Sequence, residues 1–178
     1  MLDINNIELL ERARKVRLAV FDVDGVLTDG GLNFLPDGTE FKRFSTLDGQ
    51  GIKMLQNAGI EVAIITGRSS QVVINRATNL GIKHLIQGRE DKRIALQEIL
   101  ARLDLQLEDA AYLGDDLPDL PAIRSVSLGV AVANANSFVR QHADAVTSLR
   151  GGEGAAREFC EFILQAQGRL DAARQAYL

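Results

Sequence analysis

The chain has 178 residues, 46% hydrophobic and 25% charged, which predicts one globular domain over 1–178 and leaves no room for a second large one. Its formal net charge is −4 and no basic run exceeds two residues, which argues against a nucleic-acid partner. The apolar stretches, such as 62–65 and 128–133, are too short to span a bilayer, and residues 1–15 lack the apolar centre of a secretory signal, so we expect a cytoplasmic protein without membrane contact.

Short β-branched segments alternate with helical patterns along the chain. We predict strands at 16–22, 61–66, 84–88, 110–115 and 127–132, and helices at 49–58, 70–80, 91–103, 118–125 and 136–142. Nearly all of these strands are apolar on both faces, as a parallel sheet covered by helices requires. The sequence therefore predicts a doubly wound, Rossmann-like α/β domain.

A small insertion follows the first strand. Residues 30–45 are predicted to form a β-hairpin that turns at 36–38, where Pro, Asp and Gly follow one another. Its apolar side chains, more than the domain core can cover, are Leu32, Phe34, Phe41 and Phe44. Because a two-stranded hairpin is marginally stable alone, we expect it to contact partner subunits. The alternative is a hairpin folded flat on its own domain.

The last segment, 155–178, is predicted to be a helix and tail that pack back on the core. One helical stripe carries its apolar residues, Phe159, Phe162, Ile163, Ala166 and Leu170. The single cysteine, Cys160, lies in the same helix and is expected to be a small core residue rather than a nucleophile. One cysteine also excludes an internal disulfide.

Polar residues follow three of the predicted strands. They are Asp22 and Asp24 after the first strand, Thr66 and Gly67 after the second, and Asp115 and Asp116 after the fourth. Ligands of open α/β sheets bind outside the carboxyl ends of the strands, so these residues are expected in one cleft. Four carboxylates repel one another unless a cation lies among them, and hard oxygen ligands with room for a phosphate suit Mg²⁺. A calcium site is the alternative, but no EF-hand spacing is present.

Two further features indicate a phosphate group. Thr66 and Gly67 lie where a strand opens into a helix, whose free N–H groups bind anions. Lys92 lies in the first turn of a predicted helix, where a cation opposes the helix dipole unless it meets a negative partner. The alternative is a solvated lysine offset by Glu90 and Asp91, but the acidic edge nearby favours a binding role.

The segments DVDGVLTDG, ITGR, EDKR and GDDLPD resemble, in this order, the four signature motifs of the haloacid dehalogenase superfamily. The resemblance implies a nucleophile at Asp22, a general acid/base at Asp24, and phosphate binding by Asp24, Thr66, Gly67 and Lys92. It also implies metal ligation by Asp22, Asp24 and Asp115, with possible support from Asp116 and Asp119. At an ordinary pKa of about 3.9, Asp22 is ionised at neutral pH and attacks phosphorus without a base.

The chain has the hairpin but no large cap domain. Together with STLDGQGIKML, ITGRSSQVVINRATNLGI and RGGEGAAREFCEFIL, this makes it similar over nearly its whole length to the 3-deoxy-D-manno-octulosonate 8-phosphate (KDO 8-phosphate) phosphatases. That likeness implies a Mg²⁺-dependent homotetramer that makes KDO for bacterial lipopolysaccharide. It further implies substrate contacts by Ser45, Thr46, Leu47, Asp48, Gly49, Lys53, Arg68, Arg76 and Lys92.

Two of these residues, Arg68 and Arg76, lie eight positions apart, about two helical turns, so both could face the cleft. Two other functions stay open from the sequence. One is a phosphatase for a related nine-carbon acid sugar 9-phosphate, which would use the same chemistry. The other is an interaction module that keeps the fold without catalysis, and the intact pair Asp22 and Asp24 argues against it.

Overall fold

A parallel sheet of six strands forms the centre of the computed structural model, which describes residues 1–178. In chain order the strands are β1 (Leu18–Phe21), β2 (Asn33–Phe34), β3 (Glu40–Phe41), β4 (Glu61–Ile65), β5 (His84–Ile86), β6 (Ala110–Gly114), β7 (Leu128–Ala131) and β8 (Ala145–Val146). The sheet order is β5-β4-β1-β6-β7-β8, and β2 and β3 form a separate antiparallel pair. The predicted fold class is confirmed. Strand β8 was not predicted, because two residues show no periodicity.

Eight helices surround the sheet or connect its strands. They are α1 (Ile7–Arg14), α2 (Thr46–Asn57), α3 (Gln71–Leu80), α4 (Lys92–Leu103), α5 (Leu120–Ile123), α6 (Ser137–His142), α7 (Ala155–Ala166) and α8 (Leu170–Gln175). Helix α1 was not predicted. Helix α2 begins three residues earlier than predicted, because Ser45 caps it by accepting the backbone N–H of Asp48 at 3.5 Å. None of these helices combines the length and the apolar character needed to cross a membrane.

The C-terminal segment packs on the core as expected, but as two helices. All five residues of its apolar stripe are buried, and so is Cys160, whose thiol pKa is raised well above its ordinary value by burial. The break between α7 and α8 falls at Gly168, which has a φ of 66°. That left-handed conformation ends the helix because glycine adopts it without steric cost.

The end of strand β1 determines where the cleft begins. It lies between β4 and β6, and all four of its residues are buried. Phe21 packs edge-on against Phe159 of α7, with 5.5 Å between ring centres, and burying such a side chain is worth roughly 1.5–3 kcal/mol. The next residue, Asp22, therefore emerges at the middle of the carboxyl edge of the sheet.

The hairpin strand β3 and the residues after it alternate in direction, as extended chain does. The side chains of Glu40 and Lys42 face the domain and are 16% and 2% exposed. Phe41 and Arg43 face away and are half-exposed or more. One expectation was wrong, since Phe44 is not part of the exposed apolar surface and packs against the core. The exposed apolar residues of the hairpin are Leu32, Phe34, Leu35 and Phe41.

Candidate active site

The loop after β1 folds sharply around Gly25. Its φ of 95° lies in the left-handed region, and a Cβ atom there would come within 2.2 Å of Asp115 Oδ2. Thr28, buried beside it, accepts the backbone N–H groups of Gly25 and Gly30 at 3.3 Å. Glycine is thus required for the turn and for the approach of Asp115 to the end of β1.

Lys92 is the first residue of α4, and its ammonium group is buried among carboxylates. Nζ lies 2.8 Å from Asp22 Oδ1 and 2.6 Å from Asp119 Oδ1, and the side chain is 5% exposed. Burial works against the charged form, but the two carboxylates prevail and raise the pKa of Lys92. The alternative of a solvated lysine is therefore excluded. The attraction between Lys92 and the two carboxylates offsets the unfavourable interaction of its cation with the helix dipole.

Asp119 is fully buried, and both of its oxygens are occupied. Oδ1 accepts hydrogen bonds from Lys92 and from the hydroxyl of Tyr112, the latter at 2.9 Å. Oδ2 accepts the backbone N–H groups of Asp115 at 3.0 Å and Asp116 at 3.2 Å. Asp119 thus fixes the loop after β6 and holds Lys92 in position. Tyr112 joins this network from β6. Its role was not predicted, because in the sequence it lies within an apolar strand segment and has no pattern that sets it apart.

Three carboxylates form the acidic centre of the cleft, those of Asp22, Asp115 and Asp119, with ligand atoms within 4.8 Å of one another. Burial first, and then repulsion between neighbours, raises the pKa of Asp22 to about 7 and of Asp115 to about 8. The single positive charge of Lys92 cannot neutralise three ionised carboxylates. The donors are all hard oxygens, so they fit Mg²⁺, which would relieve the repulsion.

The predicted metal ligands are only partly brought together. Asp22 and Asp115 lie in the acidic centre and would hold the ion, with Asp119 behind them because its oxygens are already occupied. The carboxylate of Asp24 lies outside this group. Asp116 is exposed, and its backbone N–H binds Asp119. From the sequence, Asp22 was expected to have an ordinary pKa and to be ionised at neutral pH. Its pKa is raised instead, so its ionisation depends on the cations beside it.

Asp24 faces the hairpin instead. Its Oδ1 accepts a hydrogen bond from Lys42 Nζ at 2.5 Å, and Arg68 Nε lies 3.8 Å from Oδ2. Oδ2 is buried and has no hydrogen-bond partner. The two acids of one strand end therefore have different surroundings. In the sequence, the alternation of charged and apolar residues in Glu40, Phe41 and Lys42 indicates that Lys42 shares a face with Glu40, but not that it contacts Asp24.

Thr66 and Arg68 line the cleft from the loop after β4. Thr66 is buried, and its Oγ1 accepts the backbone N–H of Arg68 at 3.3 Å. A Cβ atom on Gly67 would meet only Glu90, at 3.6 Å, so the space over this turn is open. The guanidinium of Arg68 reaches Glu40 of the hairpin, with 3.4 Å between Nη2 and Oε1. Arg68 thus joins the loop after β4 to the hairpin and to Asp24, which follows β1.

The other predicted substrate contacts lie around the start of α2. Arg76 donates a hydrogen bond to the carbonyl of Ser45 at 3.0 Å and lies over the ring of Phe44, 5.5 Å from its centre. A Cβ atom on Gly49 would lie 2.4 Å from Arg76 Nη2, so glycine makes room for the guanidinium. Arg76 thus fixes the first turn of α2.

Further residues of this second group face elsewhere. The carboxylate of Asp48 accepts the backbone N–H of Arg157 at 2.9 Å, near the start of α7, and is buried. Thr46, Leu47 and Lys53 are at least partly exposed on α2. No hydrogen bond or ion pair joins these residues to the acidic centre.

Similar proteins share both the sequence and this fold. Residues 84–159 match the family described as haloacid dehalogenase-like hydrolase. The chain is 46% identical to 3-deoxy-D-manno-octulosonate 8-phosphate phosphatase KdsC of Escherichia coli over 94% of its length and 89% of the relative's. It is 62% identical to a probable YrbI family phosphatase of Pseudomonas syringae, whose crystal structure has a TM-score of 0.94 and covers 96% of this chain and 97% of that one.

A third protein was solved with ligands. The 3-deoxy-D-manno-octulosonate 8-phosphate phosphatase of Moraxella catarrhalis was crystallised in complex with magnesium, phosphate and KDO. Its sequence is 44% identical to this chain and its structure has a TM-score of 0.96. The match covers 98% of this chain and all of that one. The fold and the acidic centre define a haloacid dehalogenase-like hydrolase. Within that class, the chain belongs to the family of 3-deoxy-D-manno-octulosonate 8-phosphate phosphatases.

Proposed function

We propose that this chain is a Mg²⁺-dependent phosphatase that hydrolyses KDO 8-phosphate to KDO and inorganic phosphate, in lipopolysaccharide synthesis. The observation that carries the proposal is the division of surroundings between Asp22 and Asp24. Asp22 lies against Lys92 and Asp115, while Asp24 is bound by Lys42 through one oxygen and its other oxygen accepts no hydrogen bond. Two carboxylates held in different environments are suited to different chemical roles.

In the first step, a carboxylate oxygen of Asp22 attacks phosphorus, forming an acyl phosphate as the bond to the sugar oxygen breaks. Asp24 gives its proton to the departing sugar alkoxide, which leaves as an alcohol. Lys92 is placed to bind a phosphoryl oxygen, because its ammonium lies 2.8 Å from the nucleophile. The N–H groups after Thr66 would bind the same group from the other side.

In the second step, water attacks the phosphorus of the acyl phosphate and Asp24 takes the proton from it. The bond between phosphorus and Asp22 breaks, which releases inorganic phosphate and restores Asp22 as a carboxylate and Asp24 as a protonated acid. Mg²⁺ held by Asp22 and Asp115 would supply charge stabilisation for the transferring phosphoryl group. It would also favour the ionised form of Asp22, against the burial that raises its pKa.

Recognition of the acid sugar is proposed for the rim of the cleft. With no large cap, the cleft of one subunit is open, yet selectivity requires contacts with the sugar as well as the phosphate. Arg68 is our candidate for the sugar carboxylate, since a guanidinium binds a carboxylate through two parallel hydrogen bonds. Contacts by residues 45–49, Lys53 and Arg76 remain part of the proposal.

We also propose a cytoplasmic homotetramer in which the hairpin of one subunit covers the cleft of its neighbour. The support is the exposed apolar surface of the hairpin, where Phe34 and Phe41 are 54% and 50% exposed. Exposed aromatic side chains are typical of contact surfaces. The flat-folded alternative leaves Phe41 without a role, because Phe41 points away from the side on which Glu40 and Lys42 face the domain.

The proposal is tested with purified protein, Mg²⁺ and a panel of sugar phosphates. We expect the highest kcat/KM for KDO 8-phosphate, a lower value for nine-carbon acid sugar 9-phosphates, and no phosphate release in excess EDTA. A preference for a nine-carbon substrate would replace the substrate but keep the chemistry. Absence of hydrolysis of every ester in the presence of Mg²⁺ would favour the silent interaction module.

A further inference from the structure

The hairpin contributes a lysine whose ammonium group is almost inaccessible to water. The side chain of Lys42 is 2% exposed, although its neighbour Arg43 is 67% exposed. A buried ammonium is costly unless it is paired and hydrogen-bonded. Both partners of Lys42 are carboxylates, Asp24 at 2.5 Å and Glu40 at 3.1 Å. A residue so placed has a defined position, unlike a solvated surface lysine.

Glu40 is itself held from three sides. It accepts a hydrogen bond from Ser70 Oγ at 2.5 Å, and it also contacts Lys42 and Arg68. The hydrogen bond from Ser70 is the main cause of a lowered pKa, so Glu40 is an anion. The carboxyl groups of Asp24 and Glu40 thus both face the two cations Lys42 and Arg68. This network ties the hairpin to the loop after β4.

This network leaves one oxygen of Asp24 without a hydrogen bond, with the Arg68 guanidinium 3.8 Å away. Lys42 binds Oδ1, whereas Oδ2 is buried and accepts no hydrogen bond. A carboxylate anchored through one oxygen has its other oxygen in a fixed place. General acid catalysis needs that oxygen within about 2.6–3.2 Å of the proton's destination, so orientation controls its efficiency.

We propose that Lys42, itself held by Glu40, is a positioning residue that fixes the Asp24 carboxylate for proton transfer to the leaving group. The inference rests on the proposed phosphatase function. It gives the hairpin a role within its own subunit, separate from any contact with a neighbour. The face of the hairpin that carries Glu40 and Lys42 orders the catalytic acid, and Phe41 is exposed on the opposite face.

The test separates proton transfer from every other effect by varying the leaving group. Phenyl phosphate releases a basic oxygen that needs a proton, whereas p-nitrophenyl phosphate releases a stable anion that does not. Neither ester has a carboxylate, so Arg68 does not distinguish them. We would measure kcat/KM, which reports on steps up to cleavage of the phosphate ester, for the wild type and for Lys42→Met, Lys42→Arg and Glu40→Gln.

General acid catalysis contributes about 10²–10⁴-fold, so partial loss through misplacement in Lys42→Met should cost about ten- to a hundredfold for phenyl phosphate. For p-nitrophenyl phosphate the loss should stay below about threefold. Lys42→Arg, which keeps a cationic donor, should recover most of the phenyl phosphate activity. Glu40→Gln should shift the ratio in the same direction as Lys42→Met. The matched control, Arg43→Met, changes the next side chain and should leave both rates unchanged.

An equal loss for both esters in Lys42→Met would show a merely structural role and overturn the inference, as would no loss for either. Circular dichroism establishes which variants are folded. Should Lys42→Met not fold, the same comparison on Glu40→Gln decides, and an unchanged ratio there rejects the inference. A wild-type protein that hydrolyses neither these esters nor the sugar phosphates with Mg²⁺ contradicts the proposed function itself, and this inference with it.

Discussion

Arg68→Ala should reduce selectivity for an acid sugar phosphate without reducing the chemistry. The guanidinium lies at the rim of the cleft, 3.4 Å from Glu40 and 3.8 Å from Asp24, and its side chain is 43% exposed. A hydrogen bond between charged groups contributes about 1.5–3 kcal/mol, and exposure to water favours the lower end, about 1.5–2 kcal/mol. Because about 1.4 kcal/mol corresponds to tenfold, kcat/KM for KDO 8-phosphate should fall about ten- to thirtyfold.

The assay compares that loss with the change for p-nitrophenyl phosphate, which has no carboxylate. The second value should change by less than about threefold, because Lys42 still pairs with Asp24 and Glu40 after the substitution. Arg102→Ala is the matched control, since Arg102 is 65% exposed at the far end of α4 and its only ion pair is with Glu98. A loss of equal size for both esters would refute the assignment of Arg68 to the sugar carboxylate.

Three further predictions follow from the acidic centre and the hairpin. Asp115→Ala should weaken Mg²⁺ binding about tenfold or more by calorimetry, and an unchanged affinity would remove Asp115 from the ligands. In EDTA, the melting temperature should fall as pH rises from about 5 to 8. The pKa values of Asp22 and Asp115 are raised to about 7 and 8 in the folded state, so over this range the folded protein binds protons that the unfolded chain has lost. Excess Mg²⁺ should reduce that fall, and a rise in EDTA would contradict the burial argument. Replacing Phe34 and Phe41 with Ser should lower the mass measured by light scattering, and an unchanged oligomer would exclude the hairpin contact.

The sequence predicted most of the sheet and of the acidic centre because both leave local patterns. Uninterrupted apolar segments revealed five of the six central strands, and each acidic pair directly follows such a segment. Helix boundaries were less well predicted, because capping by Ser45 and the break at Gly168 depend on a few atoms. The eight-residue helix α1 was missed altogether.

The contacts that organise the site could not be predicted in the same way. Tyr112 and Lys42 are distant in sequence from the carboxylates that they bind, and only the fold brings them together. For Asp48, the family likeness implies a contact with the substrate. In the structure, its carboxylate accepts a backbone N–H near the start of α7, a contact that the sequence did not indicate. Raised pKa values of buried acids are likewise invisible in a sequence, since burial causes them.

The most direct test of the account is to trap the acyl phosphate. Asp24→Asn should still react with p-nitrophenyl phosphate, whose leaving group needs no proton, but should hydrolyse the intermediate slowly because the base is lost. Acid quenching followed by peptide fragmentation should then locate a phosphoryl group on Asp22, and Asp22→Asn should show neither the adduct nor turnover. A phosphoryl group on another residue, or sustained turnover by Asp22→Asn, would contradict the account.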